Sequence, residues 1–404
     1  MPEAVIVSAV RSPIGRAGKG SLREMRADDM ASQVVRAALD RVPELDPSEI
    51  EDLLLGCGLP EGESGRNLAR IVAVLAELDH TPGTTLTRFC ASSLQTTRMA
   101  FHSIRAGEGD VFISAGVEAT SRMARGRSDE DTRNPRFEAA WKRSDARTSG
   151  GTGSWSDPRA AGELPDVYIA MGHTAENVAQ LRGVSREAQD IYAVRSQTRT
   201  QEAAASGFWE REIAPLTLPD GTVVSKDDSP RPNTTLETIA ELDPAFRPGG
   251  TVTAGNACPM NDGAAALIIM SDIRARELGL TPLARIVSTG VSALSPEIMG
   301  LGPVEASQDA LARADMRVSD VDLVEINEAF AAQVIPSAED LGISEEKLNV
   351  NGGAIALGHP WGMSGARITA TLLNSLQQRD QQIGLATMCV GGGQGMAMVV
   401  ERLS

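Results

Sequence analysis

Aromatic side chains make up only 3% of this 404-residue chain, and cysteine and histidine are scarcer still, with four of each. A core with so few rings has to be packed from Ala, Val, Leu and Ile between closely approaching backbones, which the 39 glycines permit. The four cysteines, Cys57, Cys90, Cys258 and Cys389, show no CxxC pair and no zinc-type spacing, so neither a disulfide framework nor a metal site is expected. No apolar run approaches the length of a membrane span. Met1-Pro2-Glu3 leads straight into a strand-like run, without the basic and then apolar stretch of a secretory leader. These absences point to a cytoplasmic protein with reduced thiols and no membrane insertion.

Positive charge is also short. The formal net charge of −16 repels nucleic acid and anionic membranes, so neither is expected as a partner. An anionic ligand needs a local basic patch, and one exists between Ser121 and Ala161, where nine Lys/Arg face six acids. Arg122, Arg125, Arg127, Arg133, Arg143 and Arg147 belong to it.

What the chain does have is a repeat of itself. Ala-Ser-Gln recurs at 31–33 and 306–308, each time in a helical pattern that leads to a matching strand entry, SEIEDLLLG at Ser48 and SDVDLVEIN at Ser319. VIVSAVRSP from Val5 pairs with RIVSTGVSALSP from Arg285. Offsets of roughly 271 to 281 residues recur three times, the mark of an internal duplication. Each half alternates strand and helix, which predicts a mainly parallel sheet between helices. Between the halves, residues 120–250 are first rich in Arg, Ser, Gly and Asp and then carry two helical patterns. They read as a loop domain inserted in the first half.

Three distant segments carry reactive side chains among small residues: RFCASSLQ with Cys90, NGGAIALGHPWGMSG with His359, and CVGGGQG with Cys389. Cys90 precedes a helix, whose unpaired N–H groups are expected to lower its thiol pKa. An imidazole such as His359 can take a thiol proton near neutrality. Cys389 ends a strand ahead of Gly391–Gly393, and a thiolate there could remove a proton next to a carbonyl. Asn327 falls in VEINEAFA, where a strand turns into a helix.

In this order, and from VIVSAVRSPIG to the last strand, the chain closely resembles the thiolases. The resemblance implies an α/β fold, a duplicated five-layer α-β-α-β-α sandwich with an inserted loop domain. It places the N-terminal core half at 1–119 and 251–278, the loop domain over the active site at 120–250, and the C-terminal core half at 279–404. It implies an acyl-CoA:acetyl-CoA acyltransferase working by a ping-pong route, with acyl-CoA, acetyl-CoA and coenzyme A as substrates and no cofactor beyond them. Cys90 would carry the acyl group, His359 would activate it, and Cys389 would exchange the carbon-bound proton. Asn327 would complete one oxyanion hole with His359, and the N–H groups of Cys90 and Gly391 would form a second. Arg231 would meet the adenine and phosphates of coenzyme A. Phe246, Met171, Cys258, Met299, Ala329 and Phe330 would line the pantetheine tunnel. The family also implies a homodimer or homotetramer.

Two departures fall on the substrate side. Ala170 stands where short-chain biosynthetic thiolases have histidine, with His173 three residues on, and Cys258-Pro259 replaces the usual Ser-Gly. A third, Thr97, is polar where the helix after the nucleophile is usually aliphatic. The alternatives are a decarboxylating ketosynthase of the same fold, whose second histidine is here Cys389, and a catalytically silent scaffold subunit, which would be expected to have lost one of these groups.

Overall fold

The computed structural model describes residues 1–123, 132–150 and 154–404. The strands that build the core are β1 Ala4–Arg11, β2 Asp52–Cys57, β3 Gly83–Leu86, β4 Val111–Ala119, β5 Asn261–Ser271, β6 Ala284–Ala293, β7 Leu323–Ile326, β8 Ile383–Val390 and β9 Gln394–Arg402. Their order across the molecule is β7-β8-β9-β6-β1-β5-β4-β2-β3. The duplication is written into that order, because β6, β9, β8 and β7 repeat β1, β5, β4 and β2 with the same pairing directions. Even β3 has a counterpart, a parallel bridge from Val324 to Leu348.

The sheet is mixed rather than mainly parallel. Among these nine strands only β2–β3, β2–β4 and β7–β8 pair parallel. The cause in the second half is the tight glycine turn after Val390, which folds β9 straight back on β8, and a short reversal can join only antiparallel neighbours. The two half-sheets meet where β1 pairs with β6 through Val5–Arg285 and Ile6–Ala284 alone.

Helices form the other layers. On the outer face of the first sheet lies α1, Ala27–Asp40. Between the sheets lie α2, Ser92–Ala106, and its repeat. In the inserted segment are α3, Glu138–Thr148, α4, Met171–Arg182, and α5, Arg186–Ala205. The outer face of the second sheet carries α6, Gly302–Arg313, and α7, Ala331–Leu341. The repeat of α2 is α8, Ser364–Gln378, buried over nearly its whole length. The central core takes Ile6, Leu54 and Leu267 from the first half and Leu372, Met388 and Val400 from the second.

Buried carboxylates fasten the inserted segment. Arg11, fully buried at the end of β1, lies 2.5 Å from Glu212 and 2.7 Å from Asp227. Glu297, also fully buried, accepts from Arg143 at 2.8 Å, from the Trp155 indole at 2.8 Å and from the Asp166 amide at 2.9 Å.

Candidate active site

Cys90 sits in a single 3₁₀ turn, Phe89–Ala91, that runs into α2. The turn is forced: Phe89 has φ of 43°, a left-handed value that costs a non-glycine residue about 1–3 kcal/mol. That conformation aims Cys90 at the end of β8. The backbone N–H groups of Gly391 and of Cys90 itself are near enough to favour its thiolate. The Cys389 thiol is close enough to feel charge on Cys90 and on Cys258.

The expected thiol acidity is reversed. Burial pushes Cys90 up to about 12, and the two N–H groups recover only part of the cost. The helix-terminus argument is local, whereas the enclosure comes from distant segments and outweighs it. Burial, together with the neighbouring Cys90 and Cys258 thiols, also holds Cys389 well above the ordinary thiol range.

His359 is buried at the head of α8. Its Nδ1 lies 2.6 Å from Ser364 Oγ, and that hydroxyl donates to the Pro360 carbonyl at 2.8 Å. A hydroxyl has one proton to give, so Nδ1 carries the ring hydrogen and Nε2 presents a lone pair. Burial, with the Arg367 charge beside it, lowers the imidazole to about 3 and keeps it neutral. Asn327 Nδ2 stands 3.5 Å from Nδ1 and 3.3 Å from Nε2, lying across the ring rather than along one lone pair.

Backbone contacts bring these groups to one place. The Asn327 amide donates to Thr387 O at 3.0 Å, two residues before Cys389 on β8. At the other side, the Ala366 amide donates to Ser93 Oγ at 2.9 Å, three residues past the nucleophile. Gly365 is required there, because a Cβ would lie 2.2 Å from the Leu94 amide. The imidazole loop is thus pressed onto the first turn of α2.

The substrate-side residues gather around Cys389. Met299, Ala329 and Phe330 share its buried cluster, with Met171 packed against it. The Met171 sulfur is 3.7 Å from where a Cβ on Gly391 would sit. Cys258 joins through its amide, which donates to Ala329 O at 3.0 Å. Phe246 meets Phe330 edge-on at 6.1 Å and His173 at 6.4 Å. Arg231 is exposed. It lies two residues from Ser229, which is tied through Asn261 to the His359 amide.

Part of the basic segment is taken up in ion pairs. Arg122 pairs with Glu63, Arg143 with Glu163 and Glu297, and Arg147 lies 3.8 Å from Glu297. Arg133 stacks on Trp141 and Tyr168. These side chains hold the inserted segment in place. Arg125 and Arg127 lie outside the described residues.

Sequence reading passed over Ser364, Arg367 and Glu118. Ser364 had a signal, since a hydroxyl five residues after a loop histidine is within reach of its ring. The other two are ordinary charges until the fold encloses them. Among the described residues no group of side chains could hold a metal ion, and no helix is long and apolar enough to cross a membrane.

Comparison with known proteins covers the chain from end to end. Residues 4–273 match the family model of the thiolase N-terminal domain, and 280–402 that of the thiolase C-terminal domain. The chain is 44% identical over 412 aligned positions to a 3-ketoacyl-CoA thiolase of Cronobacter sakazakii, and equally so to one of Klebsiella pneumoniae, with each protein covered in full. The crystal structure of the Bacillus anthracis acetyl-CoA acetyltransferase superposes with a TM-score of 0.86 at 38% identity, over all of this chain and 99% of that one. A doubled sheet wrapped around two central helices, with two thiols and a neutral imidazole brought to their heads, has its match along the whole chain in acyl-transferring enzymes, and this chain belongs to the thiolase family.

Proposed function

We propose that the chain cleaves 3-oxoacyl-CoA with coenzyme A, and runs the reverse Claisen condensation, through an acyl-enzyme on Cys90. The observation that carries this reading is the packing of the Cys90 turn on the glycine turn after β8, where a Cβ on Gly391 would lie 3.5 Å from the Phe89 ring, with the Cys389 thiol beside it. The thiol and the imidazole are both neutral, and their acidities are too far apart for a standing ion pair. Proton transfer to His359 Nε2 therefore accompanies attack on the carbonyl carbon.

In cleavage, the Cys90 sulfur bonds to the 3-carbonyl carbon as its proton passes to His359. The bond to the neighbouring carbon then breaks, and its electron pair becomes the enolate of acetyl-CoA. Cys389 protonates that carbon, a role suited to a thiol that holds its proton tightly. Coenzyme A next takes the acyl group from Cys90: its thiol proton passes to the Cys389 thiolate as its sulfur attacks, and His359 returns its proton to the departing Cys90 sulfur. The N–H groups of Cys90 and Gly391 would receive the acyl oxygen, where one fixed donor is worth about 3–4 kcal/mol. Asn327 and His359 would serve the thioester oxygen.

Every proton and electron pair in this scheme is handled by side chains, so the reading needs no resident cofactor. Phe246, Met171, Cys258, Met299, Ala329 and Phe330 would border the pantetheine arm, with Arg231 toward the nucleotide. The relatives named 3-ketoacyl-CoA thiolase support cleavage as the principal direction. A homodimer fits β3, the last strand on one side of the sheet, whose outer edge no other named strand pairs.

The test is covalent labelling with radiolabelled acetyl-CoA, alongside turnover on 3-oxoacyl-CoA of increasing length. Cys389→Ala should retain label on the Cys90 peptide with turnover lost, and Cys90→Ala should retain none. Turnover by Cys90→Ala, or label on another residue, overturns the reading.

A further inference from the structure

Arg367, on the first turn of α8, is fully buried and has no part in the scheme above. Among the described residues its guanidinium makes one hydrogen bond, from Nη2 to Asn327 Oδ1 at 3.4 Å. The ion pair that would compensate so deep a cation is poor. Nη1 stands 3.8 Å from Glu325 Oε2, and neither atom has a hydrogen-bond partner among the described residues. A charge buried on such terms is costly, and an apolar side chain of similar volume would tie α8 to β7 as well or better. The contact that only a donor can make is the one to Asn327.

Asn327 is itself fully buried. A carboxamide has nearly the same shape turned end for end, so its partners decide which way it faces. Arg367 can only donate, which draws Oδ1 toward it and leaves Nδ2 3.3 Å from His359 Nε2. The ring hydrogen sits on Nδ1, toward Ser364, so Nε2 is an acceptor and favours the same orientation. Reversed, the amide would set its oxygen against the Nε2 lone pair and its NH₂ against the guanidinium.

We infer that Arg367 is a positioning residue for the carbanion step: by holding Oδ1 it keeps the Asn327 N–H turned toward the oxygen on which the enolate charge gathers. This rests on the reading of Asn327 and His359 as donors to the thioester oxygen. When acetyl-CoA acylates Cys90, the departing coenzyme A sulfur takes the Cys389 proton. The Cys389 thiolate then removes a methyl proton from the next acetyl-CoA, and the C–H electron pair becomes the enolate. Only this second step draws on the Asn327 donor. Acylation uses the N–H groups of Cys90 and Gly391, and losing a cation beside the imidazole leaves His359 no weaker as its base. The two steps therefore separate in a variant without the guanidinium.

The test gives the full chain acetyl-CoA in deuterium oxide and reads two rates by mass spectrometry. One is acetylation of the Cys90 peptide, the other the entry of deuterium into the acetyl methyl group of acetyl-CoA. Arg367→Met should take up deuterium about ten- to hundredfold more slowly than the wild type, with acetylation within about threefold. Arg367→Lys, also a donor without a lone pair, should recover most of the loss. In an Asn327→Ala background, where the amide is gone, Arg367→Met should slow uptake no further. Unchanged uptake in Arg367→Met, an equal fall in both rates, or a further fall in the double variant overturns the assignment. If Arg367→Met does not fold by circular dichroism, Arg367→Gln is read by the same split and the same cycle. Failure of both to fold overturns the assignment too, leaving the cation a determinant of folding alone. A wild-type chain that neither acetylates Cys90 nor takes up deuterium sinks the thiolase reading, and this inference with it.

Discussion

Ser364 Oγ accepts from His359 Nδ1 at 2.6 Å while giving its own proton to the Pro360 carbonyl at 2.8 Å. The serine thus decides which ring nitrogen is basic. Ser364→Ala frees the ring to adopt the other tautomer and to rotate. Losing one such hydrogen bond is worth about 1–1.5 kcal/mol, so kcat for thiolysis of acetoacetyl-CoA should fall about tenfold, with KM within about twofold of wild type. Ser364→Thr should recover most of the loss. An unchanged kcat in the alanine variant would show that the tautomer is fixed by something else.

The buried imidazole also makes an acid-sensitivity forecast. His359 titrates near 3 in the folded chain against 6.5 for the ordinary group. A folded value below the unfolded one means that the unfolded chain binds the proton first. The stability contribution is therefore complete above about pH 6.5 and drains away as the pH falls toward 3. Between pH 6 and pH 4 the wild type should lose about 2.5 kcal/mol relative to His359→Asn, read from urea unfolding at the two pH values. Parallel losses in both proteins would count against a neutral buried ring.

A third forecast concerns the substrate channel. A Cβ on Gly172 would lie 2.1 Å from Phe246 Cδ1, so Gly172→Ala must swing the ring away from Phe330 and His173. Phe246 is partly exposed and has room to move. An edge-on aromatic contact is worth about 0.5–1.5 kcal/mol, and the expected result is a KM for the acyl-CoA raised about two- to tenfold. The maximal rate should hold. A fall in kcat at constant KM would place Phe246 nearer the chemistry than the tunnel.

The residues legible in the sequence were those whose neighbours announce them. Cys90, His359, Cys389 and Asn327 each stand beside small or turn-forming residues at the end of an element, and the duplication foretold the repeated strand order. Strand direction was not legible, because an apolar run looks the same whichever way its neighbour lies. Buried carboxylates were missed for a related reason. Glu118 and Glu297 read as ordinary acids until segments 244 and 154 residues away close over them, bringing Gly362 and Arg143. The same distance effect drew Arg122, Arg143 and Arg147 of the basic segment into ion pairs, and raised the Cys90 thiol where the local helix argued for lowering it. Thr97, odd on a helix that usually carries an aliphatic residue there, is answered by Ser114, 2.9 Å away on β4.

The central helix α8 touches strands of both half-sheets, and β1 meets β6 through only two residue pairs. Neither copy of the ancestral repeat owns a whole interior. A chain divided at the repeat boundary would leave the first sheet with part of its inner face wet, and would take the imidazole away from the first cysteine. Having been doubled, the motif became a machine that no longer comes apart into its original units.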